Sequence, residues 1–118
     1  MGDLDIVVYD DGHREVYQKG PTTAGGAYAC YGVGHKSERN EIGNMEFQYD
    51  VIPEVGVVGW TNESVIAVVI DRLQGFQAGG FSCRENAIAI TKLQEALMWL
   101  EKRTADRRKR GVEGKHEA

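Results

Sequence analysis

Cysteine is nearly absent from this chain: Cys30 and Cys83 are the only two in 118 residues, and no CxxC spacing joins them. That excludes a disulfide framework and leaves two free thiols in a reducing compartment as the expectation. A zinc site can be drawn on paper from His13, Cys30, His35 and Cys83, but these ligands lack the tight local spacing of metal sites, so no metal is expected. Long apolar runs are also missing. None approaches the ~20 residues that span a bilayer, and the opening MGDLDIVVYDDG has neither a basic n-region nor a cleavage site. A cytoplasmic location without membrane contact is therefore expected. Catalytic signatures are equally scarce, with no GxGxxG, Walker loop, nucleophile elbow or HExxH. His13, His35 and His116 fall in an expected strand, a loop and the tail, and no Ser or Cys accompanies them in a defensible arrangement. Neither a catalytic residue nor a cofactor is assigned.

What is present describes a small folding unit. A hydrophobic content of 42% against 27% charge supports a core, although a core of this size is modest and subunit association would help it. The net charge of −4 conceals an asymmetry. Residues 1–60 carry ten acidic and four basic side chains, whereas residues 61–118 carry eight acidic and ten basic. Anion binding, if there is any, belongs mainly to the second half.

The first half reads as a small antiparallel sheet. LDIVVY (4–9) and HREVY (13–17) flank Asp10, Asp11 and Gly12, and an Asp-Gly pair between β-rich runs is a strong hairpin signal. AYACYGV (27–33) and MEFQYDVI (45–52) are expected as further strands, separated by the polar loop 34–44. PEVGVVGW (53–60) is a connector interrupted by Pro53 and two glycines. Thr61 then caps a helix over NESVIAVVIDRLQGFQ. The β-branched run VIAVVI fits a buried strand as well, but Asn62, Ile66, Val69, Ile70, Leu73 and Gln77 share one helical face at spacings of three and four. A second helix follows a turn at Ala78, Gly79 and Gly80, with Ser82 and Glu85 as a capping box, and runs without Gly or Pro until Gly111. The expected architecture is α+β: a sheet region over 1–58 and an antiparallel helical hairpin with a basic tail over 59–118, in one compact unit.

On the second helix, Cys83, Asn86, Ala87, Leu93 and Leu97 lie within about 60° of Ile90 and form the expected packing stripe. Ile88 and Trp99 project from the opposite side and call for a second packing partner, either the sheet or another subunit. Asn86 interrupts the apolar stripe; it reads as a satisfied or register-setting buried amide, or as a group facing a ligand, and Asn62 admits the same two readings. Arg84, at a helix N-terminus rich in unpaired amides, makes a place for a phosphate. Phe81 could stack on a base or tuck into the core as a staple, and Thr91 lies two turns beyond Arg84 on the same face. The tail KRTADRRKR (102–110) has six Lys or Arg. It complements the helix dipole or binds polyanions, although the acidic first half and a pI near 5.3 weigh against nucleic acid as a partner.

Taken together, TNESVIAVVIDRLQGFQ, FSCRENAIAITKLQEALMWLEKRT and the ending RGVEGKHE resemble the helical hairpin shared by phage anti-defence sponges of the anti-Thoeris and anti-CBASS types. The resemblance covers residues 61–117, and CRENAIAITKLQEAL is its most specific part. The preceding sheet is similar to the anti-Thoeris branch. What the resemblance implies is a homo-oligomer, a dimer or a hexamer built as a trimer of dimers, that binds cyclic nucleotide signals between subunits without cleaving them. Glycocyclic ADP-ribose isomers are the implied ligands, with cyclic di- or trinucleotides at separate sites. The implied contacts are Phe81 to a base, Arg84 to a phosphate and Asn86 and Thr91 through hydrogen bonds, with Arg103 and Arg107 as a second anion site. Two rivals are an enzyme that hydrolyses such signals and a nucleic-acid-binding regulator that uses the tail.

Overall fold

A computed structural model describes residues 6–23, 25–38, 40–49 and 52–109. The chain divides into two compact units at the Trp60–Thr61 junction, the first a sheet and the second a helical hairpin. The α+β class is as expected. Arg39, Arg110, Gly111, His116 and the ending RGVEGKHE lie outside the described residues.

In the first unit, β1 (Val7–Asp10), β2 (Arg14–Thr22), β3 (Tyr28–His35) and β4 (Glu41–Glu46) form one antiparallel sheet in the order β1-β2-β3-β4. The Asp-Gly hairpin is present. Asp10 Oδ1 accepts from the Gly12 amide at 2.7 Å, and Asp11 Oδ1 accepts from the amides of His13 and Arg14 at 2.8 and 2.6 Å. Carboxylates that satisfy turn amides in this way are the reason Asp favours turns. They also move His13 out of the expected strand and into the turn. Strand β2 then runs beyond the expected Tyr17 to Thr22, and the pairing shifts between Lys19 and Thr22, around Pro21, which lacks the amide a regular ladder needs.

The fourth strand corrects the sequence reading. It occupies Glu41–Glu46, so it begins inside the expected 34–44 loop and shares only Met45 and Glu46 with the expected strand 45–52. Gly43, Met45 and Phe47 alternate as the half-buried positions. Because Gly43 has no side chain, this period of two is invisible at its start. Beyond the strand, Phe47 makes a parallel bridge to Trp60, with the Gln48 amide donating to the Trp60 carbonyl and the Trp60 amide to that of Glu46, both at 2.8 Å. The connector between them holds a short helix, α1 (Ile52–Val55). Gly59 makes this return possible: its φ is +67°, and a Cβ there would collide with the Glu46 carbonyl oxygen.

Tyr17 is fully buried, and its hydroxyl donates to the Glu41 carboxylate. Glu41 also accepts from Lys19 Nζ at 2.9 Å and from Asn44 Nδ2 at 3.4 Å. The Tyr17 hydroxyl first, then Lys19 and Asn44, lower the Glu41 pKa from its ordinary 4.5 to about 2. In the turn, the Arg14 and His13 amides bring Asp11 from 3.8 to about 2. A carboxyl whose folded pKa is depressed stabilises the fold fully above its unfolded pKa, and that contribution disappears as pH falls through the folded value. Urea midpoints should therefore hold steady down to about pH 4.5 and decline between there and pH 2. Glu41→Gln should flatten that decline, and an unchanged acid limb in this variant would remove Glu41 from the account.

In the second unit, α2 (Asn62–Ala78) and α3 (Arg84–Lys109) pack antiparallel. At the open end Thr104 Oγ1 donates to Glu63 Oε2 at 3.3 Å, and at the turn end Gln77 pairs with Cys83. Thr61 caps α2 as expected, but its reciprocal partner is Ser64, whose hydroxyl accepts from the Thr61 amide at 2.8 Å. Ile66, Ile70, Leu73 and Gln77 face inward as expected, whereas Asn62 and Val69 are exposed. Of the expected α3 stripe, Asn86, Ile90, Leu93 and Leu97 are half-buried, but Ala87 is exposed, as is Cys83, which precedes the helix. The inward stripe instead continues through Ala89, Ala96, Leu100, Thr104 and Arg107 at spacings of three and four. Among the described residues, no helix is long and apolar enough to cross a membrane.

Candidate functional site

Two features set the geometry of the hairpin turn. Helix α2 closes where the Gly79 amide donates to the Gly75 carbonyl at 3.1 Å. Across the turn, the Gln77 side-chain amide makes both of its hydrogen bonds to one residue: Nε2 donates to the Cys83 carbonyl at 3.0 Å, and Oε1 accepts from the Cys83 amide at 2.9 Å. This clamp fixes the first residue of α3. The capping residue is therefore Cys83, whose carbonyl accepts from the Ala87 amide at 3.3 Å and whose Sγ accepts from the Asn86 amide at 3.4 Å. The expected capping box on Ser82 is displaced by one position, because the clamp from Gln77 sets the frame more strongly than the local Ser-x-x-Glu spacing.

Capping by Cys83 makes Arg84 the first residue of α3, beside the positive end of a 26-residue helix. Phe81 is 77% exposed, which rules out the tucked staple. Its ring meets that of Phe76 edge to face, with centroids 6.4 Å apart and planes at 85°. The Arg72 guanidinium lies over the Phe76 ring, 5.8 Å from its centroid. A cation, two rings and a second arginine thus occur together around one turn. Arg72 and Phe76 were not singled out by the sequence reading; the signal that could have found them is an Arg and a Phe four residues apart on one face of α2.

The other expected contacts divide into two groups. Asn86, half-buried on α3, makes no side-chain amide hydrogen bond within the described residues. Thr91 is exposed, and its hydroxyl donates to the Ala87 carbonyl at 3.2 Å, which leaves it only lone pairs for any further partner. Arg103 is exposed and Arg107 half-buried near the far end of α3. Arg84 and Arg107 are separated along one helix by about 34 Å at ~1.5 Å per residue, so a single hairpin cannot bring them to the same small ligand.

Comparison with known proteins bears on this arrangement. Residues 40–105 match the model of the Acb2/Tad1 hairpin domain. The chain belongs to this family. The match begins at residue 40, just before β4, and so earlier than residue 61, where the resemblance in the sequence begins. A Bacillus phage SBSphiJ7 protein named Thoeris anti-defense 1 is 52% identical over 94 residues, covering 74% of this chain. The match covers 66% of that relative's length. It is too long to lie in the helical hairpin alone, so it extends into the sheet. Within the family the chain is most like the anti-Thoeris branch of phage anti-defence proteins.

Proposed function

We propose that this protein is a phage anti-defence sponge that binds cyclic nucleotide immune signals and holds them uncleaved. Glycocyclic ADP-ribose isomers are its ligands, with cyclic di- or trinucleotides as a further class, and it blocks Thoeris- or CBASS-type immunity in the cytoplasm of the infected bacterium. The observation that carries this reading is the group at the hairpin turn: the Arg72, Phe76 and Phe81 array beside Arg84 at the start of α3. An exposed aromatic offers a base a π-face, and the helix start with its arginine offers a phosphate charge-assisted donors. Holding a signal requires binding and no bond cleavage.

Affinity is within reach of such a site. A cyclic ADP-ribose isomer has roughly 35 heavy atoms, and at about −0.3 kcal/mol per atom binding reaches about −10 kcal/mol, or tens of nanomolar. Enclosure by a second copy of the chain would supply contacts that one hairpin lacks. Helix α3 contains no fully buried residue, and Ile88, Met98 and Trp99 are 42%, 56% and 58% exposed. Apolar area of this kind favours a homo-oligomer, a dimer or a trimer of dimers, in which Arg103 and Arg107 of neighbouring copies approach one another as a second anion site.

The test is native mass spectrometry of the full chain with a panel of glycocyclic ADP-ribose isomers and cyclic di- and trinucleotides, followed by heat release and mass analysis of the ligand. The expected result is an oligomer that retains one of these and returns it at unchanged mass. Chemically altered ligand would establish hydrolysis instead, and no retention across the panel would overturn the reading.

A further inference from the structure

At one end of the sheet, the β1–β2 turn and the β3–β4 loop enclose an open recess of about 790 Å³ lined by Gly12, His13, Arg14, His35, Lys36 and Ser37. The framework around it is built from backbone. Arg14 and His35 are cross-strand partners, so their side chains leave the same face of the sheet. The Lys36 amide donates to the His13 carbonyl at 2.9 Å, which ties the two loops together. Gly12, at a φ of +91°, leaves its part of the wall open.

The hydrogen-bonding balance of this recess is uneven. Each oxygen of its two neighbouring aspartates has a partner: Asp10 accepts from the Gly12 amide at 2.7 Å and from Lys36 Nζ at 2.7 Å. Asp11 accepts from the amides of His13 and Arg14 and, on its other oxygen, from Arg14 Nη1 at 2.6 Å. The lining side chains keep a surplus of donors. Arg14 spends one of its five N–H groups and Lys36 one of its three on these acids. Each imidazole presents at least one ring N–H, and Ser37 adds a hydroxyl. The two ion pairs offset the charges of Asp10 and Asp11, and Glu15 also acts on Lys36, so what the recess offers is spare hydrogen-bond donors on its lining side chains and not a net positive charge. Its volume is far above the ~30 Å³ that a single water occupies.

We propose that this recess is a binding site for a phosphoryl group, held by Arg14, Lys36, His13, His35 and Ser37. A tetrahedral oxyanion with several acceptor oxygens is the ligand class that uses convergent N–H and O–H donors of this kind. The site lies wholly within the sheet unit and does not depend on the reading of the hairpin turn. The phosphoryl group comes either as free phosphate or as part of a nucleotide.

The experiment follows the ring resonances of His13 and His35 by NMR in the full chain during titration with pyrophosphate, adenosine monophosphate and, as a base-only control, adenosine. Sodium chloride at matched ionic strength serves as the reference. Saturable shifts with pyrophosphate or the monophosphate, and none with adenosine, are expected. Tighter binding of the monophosphate would identify a nucleotide as the source, and tighter binding of pyrophosphate an inorganic one. Ser37→Ala and the double variant His13→Ala/His35→Ala, neither of which removes an Asp10 or Asp11 partner side chain, should each weaken binding, the double variant at least tenfold. For the double variant binding is read from the Lys36 signals. No saturable shift up to about 10 mM, shifts equal to those in sodium chloride, or undiminished affinity in a double variant that keeps its circular dichroism would overturn the proposal.

Discussion

Arg84→Ala is expected to reduce capture of the proposed cyclic nucleotide ligand by about 10- to 150-fold, because the hydrogen bond to a charged group that the proposal assigns to Arg84 contributes about 1.5–3 kcal/mol. Phe81→Ala should cost a similar factor through the loss of base stacking, about 1–3 kcal/mol per base. Neither side chain holds the hairpin together. Phe81 is 77% exposed, and Arg84 is exposed at the first residue of α3, whose frame is fixed by Gln77 and Cys83. Melting temperatures should therefore stay within a few degrees of the parent, the Phe81 variant losing only its edge contact with Phe76, worth about 0.5–1.5 kcal/mol. Arg84→Lys separates charge from geometry: it keeps the cation and loses the planar fork, so capture should recover in part. Calorimetric titration of the panel ligands and thermal melts of the same preparations give both readouts. Loss of binding and folding in parallel would return both residues to a structural role.

The parts of the fold that rest on local chemistry were legible in the sequence. Asp10, Asp11 and Gly12 specify their turn through bonds between near neighbours, and Thr61 specifies a helix start in the same way. The long second helix showed itself by the absence of Gly and Pro. Where the reading failed, a non-local bond or a missing side chain was responsible. Strand β4 was displaced because Gly43 hides the alternation and because Glu41, a polar residue in an apparent loop, is held by Tyr17 and Lys19 from a strand more than twenty positions away. The cap moved from Ser82 to Cys83 because Gln77 reaches six residues forward. At the candidate site, Arg84 and Phe81 were visible as a charge and a ring next to a helix start. The ring beside Phe81 and the cation over it belong to the preceding helix, and only the turn brings them together.

Gly32→Ala is expected to be among the most destabilising single methyl additions to the sheet. Gly32 faces Tyr17 across the β2–β3 pair, and a Cβ at this position would lie 2.5 Å from Tyr17 Cζ and 2.6 Å from its hydroxyl oxygen. Tyr17 is fully buried, so its ring has no open side to move into. Overpacking of this kind costs about 1–3 kcal/mol. Displacing the hydroxyl from the Glu41 carboxylate adds the loss of a charge-assisted bond. Removing the ring relieves the clash, which makes the two sites non-additive: Tyr17→Ala/Gly32→Ala should be little worse than Tyr17→Ala alone, a coupling that a double-mutant cycle in urea measures directly. Tyr17→Phe tests the second half of the argument, because it keeps the ring and removes the donor that does most to depress the Glu41 pKa. Its stability loss should be present at pH 7 and shrink as pH falls from 4.5 toward 2, since over that range the unfolded parent takes up a proton that its folded Glu41, held ionised by the Tyr17 hydroxyl, does not. A Gly32→Ala chain within about 0.5 kcal/mol of the parent, or strictly additive effects in the cycle, would mean that the sheet relaxes around the added methyl and that the contact of Tyr17 with Gly32 does not determine its stability.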